Sequence, residues 1–186
     1  MNVWAGTALA VWLGLAAAST VLWVTQLGGV RPLVVRPAWL ALILTGEVSL
    51  TAAVAWLAAI SGPLSPPWSW IAAGIGTIAA VLCGNAVVLS VFGLIDASAR
   101  PGSPRVQRTI LRGGAWIGAL ERLAMLGTML AGWPEGIAAI VAVKAFARYP
   151  ELRTGQGTGA TERFIIGSFA SLGWAAACAG IVMILL

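Results

Sequence analysis

Read for its apolar and polar positions, the chain divides into long apolar runs separated by short clusters of Pro, Gly and charge. A membrane-spanning helix needs about 20 mainly apolar residues, and the chain offers six candidates: residues 3–26, 38–60, 68–95, 114–132, 137–148 and 164–186. The breaks between them differ in chemistry. Gly28, Gly29, Arg31, Pro32, Arg36 and Pro37 mark the first, Ser61-Gly62-Pro63-Leu64-Ser65-Pro66-Pro67 is an uncharged turn, and Asp96 to Gly113 is the most polar stretch. Trp133-Pro134-Glu135-Gly136 turns the chain again, and a Gly/Thr-rich loop precedes the last run. The pattern predicts a single all-α domain, a polytopic transmembrane bundle of about six helices. The fifth run has only about a dozen apolar residues and fits either a span or a re-entrant segment. If re-entrant, it would reverse the last helix and leave Arg153 and Arg163 outside, against the charge bias described next.

Composition removes a soluble fold. Of 186 residues 60% are hydrophobic and 9% charged, whereas soluble domains carry about a quarter charged residues. The net charge of +5 would suggest nucleic acid in a soluble protein. Here the basic residues lie mostly in short loops, so orientation in a membrane explains them and no nucleic-acid partner is expected. Loops one, three and five carry Arg31, Arg36, Arg100, Arg105, Arg108, Arg112, Arg148, Arg153 and Arg163, while loops two and four carry no Lys or Arg. The positive-inside rule then makes the odd loops cytoplasmic and turns both termini outward; the expected setting is the bacterial cytoplasmic (plasma) membrane. Tryptophan agrees, with Trp4, Trp56, Trp68, Trp70 and Trp133 at an outer belt, Trp23, Trp39 and Trp116 at an inner one, and only Trp12 and Trp174 deeper. The first run has no basic residue ahead of a long apolar core, so it reads as a first transmembrane helix and not a secretory signal. With no His, and with Cys83 and Cys178 alone in separate runs, no metal and no cofactor is expected. The two thiols read as small buried apolar groups, with a disulfide between them left open.

The candidate chemistry lies inside the apolar runs. Glu47, Asn85, Glu121, Arg122 and Lys144 fall roughly 6 to 15 Å below the inner interface at the helical rise of about 1.5 Å per residue. A charge that deep costs at least about 2.5–3.5 kcal/mol on insertion scales, so each needs a partner. Glu47 has no basic residue one turn away, which makes Arg122 and Lys144 its candidate partners. Gly114, Gly118, Glu121, Met125 and Thr128 share a helical face, which aims Glu121 at a close neighbour. Two readings stand for Glu47, Glu121 and Arg122: a ligand-binding site, or an ion-pair network that fixes the bundle. Lys144 and Arg148, four apart, read as snorkelling to the inner headgroups, and Asn85 as interhelical hydrogen-bonding glue. Arg105, Arg108 and Arg112 read as topology determinants, with anionic lipid headgroups as a second role. Small residues four apart (Gly14 and Ala18, Gly114 and Gly118, Gly167 and Ser171, Ala176 and Gly180) offer sites of close helix approach.

Three stretches in the C-terminal half, G-x-x-I-G-x-L-E-R at 114–122, A-x-K-x-x-x-R-Y-P-E-L at 142–152 and E-R-F-I-I-G-S at 162–168, resemble the end of a bacterial family of multi-pass membrane proteins of unknown function. The resemblance covers roughly residues 112–175. It implies one cytoplasm-facing cluster of Glu121, Arg122, Lys144, Arg148, Glu151 and Glu162, and it implies no activity.

Three functions fit this sequence. A transport-type or solute- or lipid-binding protein would use the buried charges to hold a small molecule or an anionic lipid in the cytoplasmic half. A non-catalytic accessory or assembly subunit would pair its polar groups with a membrane-protein partner. An enzyme acting on lipid phosphates would use Arg122, Lys144, Arg148 and Arg163 as phosphate ligands, but the chain has no D-x-x-D cluster and no recognisable nucleophile. A cavity with converging charges separates the first from the second, which requires a filled core.

Overall fold

A computed structural model describes residues 3–27, 37–98, 114–153 and 158–186; the side chains of 22–27, 148, 150–153 and 158–160, and all of Arg31, Arg36, Arg100, Arg105, Arg108 and Arg112, lie outside what it describes. The described chain is an all-α bundle of six helices: α1 (Val3–Leu27), α2 (Pro37–Ser61), α3 (Trp68–Ser98), α4 (Gly114–Leu130), α5 (Glu135–Arg153) and α6 (Thr158–Leu185). Four of them, α1, α2, α3 and α6, are long and apolar enough to cross a membrane. The other two are α4, at 17 residues, and α5, at 19.

Local chemistry sets the ends. Pro37 opens α2, where its fixed φ suits the first helical turn and its missing N–H costs nothing. Gly62 closes α2 at φ 68°, donating its N–H to Ala58 O at 3.1 Å before Pro63 stops the helix. Gly132, at φ 65°, closes α4 in the same manner. Its N–H reaches Met129 O at 3.0 Å and that of Trp133 reaches Thr128 O at 2.9 Å, the paired bonds of a Schellman cap. Continuing from that turn, α5 runs past Lys144 to Arg153, further than its apolar residues alone predict.

The central element is α3, which packs against α1, α2, α4 and α6; α5 packs against α4. Its buried positions are mostly small, among them Ala72, Gly76, Ala79, Ala80, Cys83 and Gly84, so four neighbours approach its backbone closely. Two large indoles fill the space this leaves. Trp12 of α1, with no exposed surface, lies across Gly76, where a Cβ would stand 3.0 Å from its ring. Trp174 of α6 lies beside Gly84 and donates its Nε1–H to Ala79 O at 3.4 Å. These are the two tryptophans that the sequence places deep; Trp4, Trp39, Trp56, Trp68, Trp70, Trp116 and Trp133 are exposed. The Leu64 N–H bonds Leu185 O at 2.8 Å, which puts the end of α6 beside the α2–α3 turn. At the other end Asp96 of α3 pairs with Arg163 of α6. The two helices are therefore antiparallel, and α5 returns the chain between α4 and α6.

Candidate functional site

Glu47, Glu121, Arg122 and Lys144 gather at one level of the bundle and separate into three small sets. On α2, Glu47 is 5% exposed, and its Oε1 accepts a hydrogen bond from Ser19 Oγ of α1 at 2.5 Å. Cys83 of α3 lies beside the same carboxyl. Glu47 Oε2 is buried and has no partner. Arg122 and Lys144, the cations expected opposite Glu47, are both engaged elsewhere.

On the other flank of α3, Arg122 of α4 is 2% exposed. Its Nη1 donates to Ser171 Oγ of α6 at 3.1 Å and its Nη2 to Val81 O of α3 at 2.9 Å, while Nε–H has no partner. Room for the side chain comes from Gly84, where a Cβ would stand 2.5 Å from Arg122 Cδ. The guanidinium therefore rests on a helix carbonyl and a hydroxyl, and among the described residues no carboxylate pairs with it. Its sequence neighbour Glu121 points the other way, across to Lys144 of α5, and pairs with it. Lys144 thus ends in an ion pair, because the antiparallel α4–α5 hairpin brings Glu121 within reach of its ammonium. Arg148 sits one turn further along α5.

Asn85 is half-buried on α3 next to Gly84. Of the cluster implied by the family resemblance, Glu121 and Lys144 meet, Glu162 is exposed at the start of α6, and the side chains of Arg148 and Glu151 lie outside the described residues. Ser19, Ser171 and Val81 O are the partners that sequence reasoning missed. A serine in an Ala-rich helix carries no signal of its own, and a backbone acceptor carries none at all. Among the small-residue pairs, Gly167 receives Phe92 against it, whereas Gly14, Gly114 and Gly180 have nothing within 4 Å.

Two lateral grooves flank α2. The first, about 350 Å³, lies between α1 and α2, with Ser19 and Glu47 as its polar floor and Leu15, Ala18, Leu42 and Leu50 among its apolar walls. Ala18, Leu42 and Leu50 are exposed, so it opens sideways, toward lipid in a membrane. The second, about 360 Å³, lies between α2 and α6 and is almost wholly apolar, except for Thr51, whose buried hydroxyl also lacks a partner. Thr51 follows Glu47 by four residues, a spacing that puts both on one helical face. Among the described residues no three of His, Cys, Asp and Glu lie close enough to hold a metal.

No family model, curated protein or solved structure matches the chain.

Proposed function

We propose that the chain is a small multi-pass protein of a bacterial cytoplasmic membrane, with both termini outward, that binds a membrane-dissolved solute or lipid in the α1–α2 groove. The observation that carries this reading is the half-satisfied carboxyl of Glu47: Ser19 serves one oxygen, the Cys83 thiol lies beside the group, and the other oxygen has no hydrogen-bond partner although it is buried. A buried polar atom without a partner costs about 1–3 kcal/mol. A ligand entering the open side of the groove with a hydroxyl, amide or ammonium donor would relieve that cost while its apolar body covers Leu15, Leu42 and Leu50. The arginine bias of the odd loops supports the orientation, and it puts Glu47 in the cytoplasmic half. The groove faces sideways, which favours a ligand arriving through the bilayer over a solute from the aqueous phase.

The test is native mass spectrometry of the protein extracted gently from its own membrane, comparing wild type with Glu47→Gln. The reading expects a bound small molecule in wild type that the variant loses. Equal occupancy in both would remove Glu47 from the site and the reading with it.

A second reading, an accessory subunit, draws support from a separate observation. Arg122 and the Glu121–Lys144 pair close on local partners within a packed interior, and α5, which packs against α4, leaves Val143 and Phe146 exposed. A stoichiometric membrane protein in the same spectra, with no small molecule, would favour it.

A further inference from the structure

The polar level provides a ruler for helix length, and the ruler reads differently on the two sides of the bundle. Toward the α2–α3 turn, α1 has 16 residues from Ser19 to Val3, α2 has 14 from Glu47 to Ser61, α3 has 16 from Gly84 to Trp68, and α6 has 14 from Ser171 to Leu185. In the same direction α4 has 8 residues from Arg122 to Leu130 and α5 has 9 from Lys144 to Glu135. At about 1.5 Å per residue these are about 21–24 Å against about 12–14 Å. The α4–α5 turn therefore stops about 8–10 Å short of the ends of its neighbours.

The uncovered surface is visible on α3. Trp70, Gly74, Thr77, Val81 and Gly84 follow one helical stripe. At its lower end Val81 and Gly84 meet Arg122 of α4. Above the turn nothing comes within 4 Å of the place of a Cβ at Gly74, and Trp70 is 72% exposed. The turn itself carries the groups of a water interface: Trp133 and Glu135 are exposed, and Gly132 and Pro134 complete it. A carboxylate and four turn residues cannot sit about 8–10 Å inside hydrocarbon without large cost.

We infer that the bilayer beside the α4–α5 hairpin is thinned on the side of the α2–α3 turn, its headgroups dipping to meet Trp133 and Glu135, so that the lipid recognised on this flank has shorter or more disordered chains than that around α1 and α3. The inference rests on the membrane-spanning reading above but not on the Glu47 site. Hydrophobic mismatch costs a fraction of a kcal/mol per Å and is met by the lipid when the helix cannot lengthen; the Schellman cap at Gly132 fixes the length of α4.

The test places a nitroxide label at Ser65→Cys, in the α2–α3 turn, and separately at Trp133→Cys, in the α4–α5 turn, with Glu135→Cys as a second reporter should the Trp133 variant fold poorly. Native Cys83 and Cys178 have no exposed surface and serve as the unlabelled background. Each variant is reconstituted in dioleoyl phosphatidylcholine vesicles, and label depth is measured from oxygen and nickel-chelate relaxation. The inference expects both turns at headgroup depth, equal to within about 3 Å, two residues of helical rise. It is overturned by a label at 133 or 135 lying about 8–10 Å deeper than the label at 65. Shielding of the 133 label from both reagents would overturn it too, by showing that protein covers this flank. Failure of the label at 65 to reach an interface at all would instead defeat the membrane-spanning reading.

Discussion

Glu47 and Arg122 stand at the same level on opposite flanks of α3, and the fold treats them in opposite ways. Arg122 is enclosed by three helices, and a hydroxyl and a carbonyl accept its protons where glycine makes room. Glu47 has the Ser19 hydroxyl as donor with the Cys83 thiol beside it, one unpartnered oxygen, and a groove at its side that opens outward. Both are ionisable and both are buried, so neither property separates a structural group from a binding one. Each keeps one buried polar atom without a partner, Glu47 Oε2 and Arg122 Nε; what separates them is that packed helices enclose Arg122 while Glu47 borders an open groove. Arg122 is built into the packing, and Glu47 lies at an opening between α1 and α2.

Substitutions should divide along the same line. The largest loss is expected for Arg122→Ala, which empties the space between α3, α4 and α6; stability should fall by about 2–5 kcal/mol, the range for large-to-small core changes, in a denaturant titration of the micellar protein. Gly84→Ala presses a methyl into Arg122 and Trp174 and should cost about 1–3 kcal/mol as overpacking. Gly74→Ala, ten residues earlier on the same helix but in open space, should be neutral or slightly stabilising; an equal loss at both positions would mean that α3 does not pack as described. The Glu121–Lys144 pair comes next. A double-mutant cycle with Glu121→Gln and Lys144→Met should return a coupling of about 0.5–3 kcal/mol, and no coupling would deny the contact. Smallest is Glu47→Gln, whose carbonyl still accepts from Ser19, so stability should move by less than about 1 kcal/mol.

The sequence made the helices legible because each is a long apolar run ended by Gly, Pro or charge, and it made Trp12 and Trp174 legible because both sit far from any interface. Burial of Glu47 and Arg122 could likewise be read from depth. Their partners could not. Charge complementarity proposes Arg122 or Lys144 for Glu47, but α3 stands between Glu47 and Arg122, and Lys144 lies on α5 beyond α4 and closes on Glu121. Close-packing glycines were equally hidden: Gly76 and Gly84 receive large side chains while Gly14 and Gly114 receive none, and spacing alone does not distinguish them in a chain with 23 glycines. The step at the α4–α5 turn needed the register between helices, which hairpin contacts provide and hydropathy does not.

The most direct test of the contrast is a crossed comparison of Glu47→Gln and Arg122→Gln, each measured for unfolding midpoint and for the small molecule retained in native mass spectra. The account predicts that Glu47→Gln keeps its midpoint and loses the ligand, while Arg122→Gln loses stability and, where folded, keeps the ligand. If Glu47→Gln unfolds as readily as Arg122→Gln, or if both retain the same bound species, the two groups do the same structural work and the distinction drawn here is wrong.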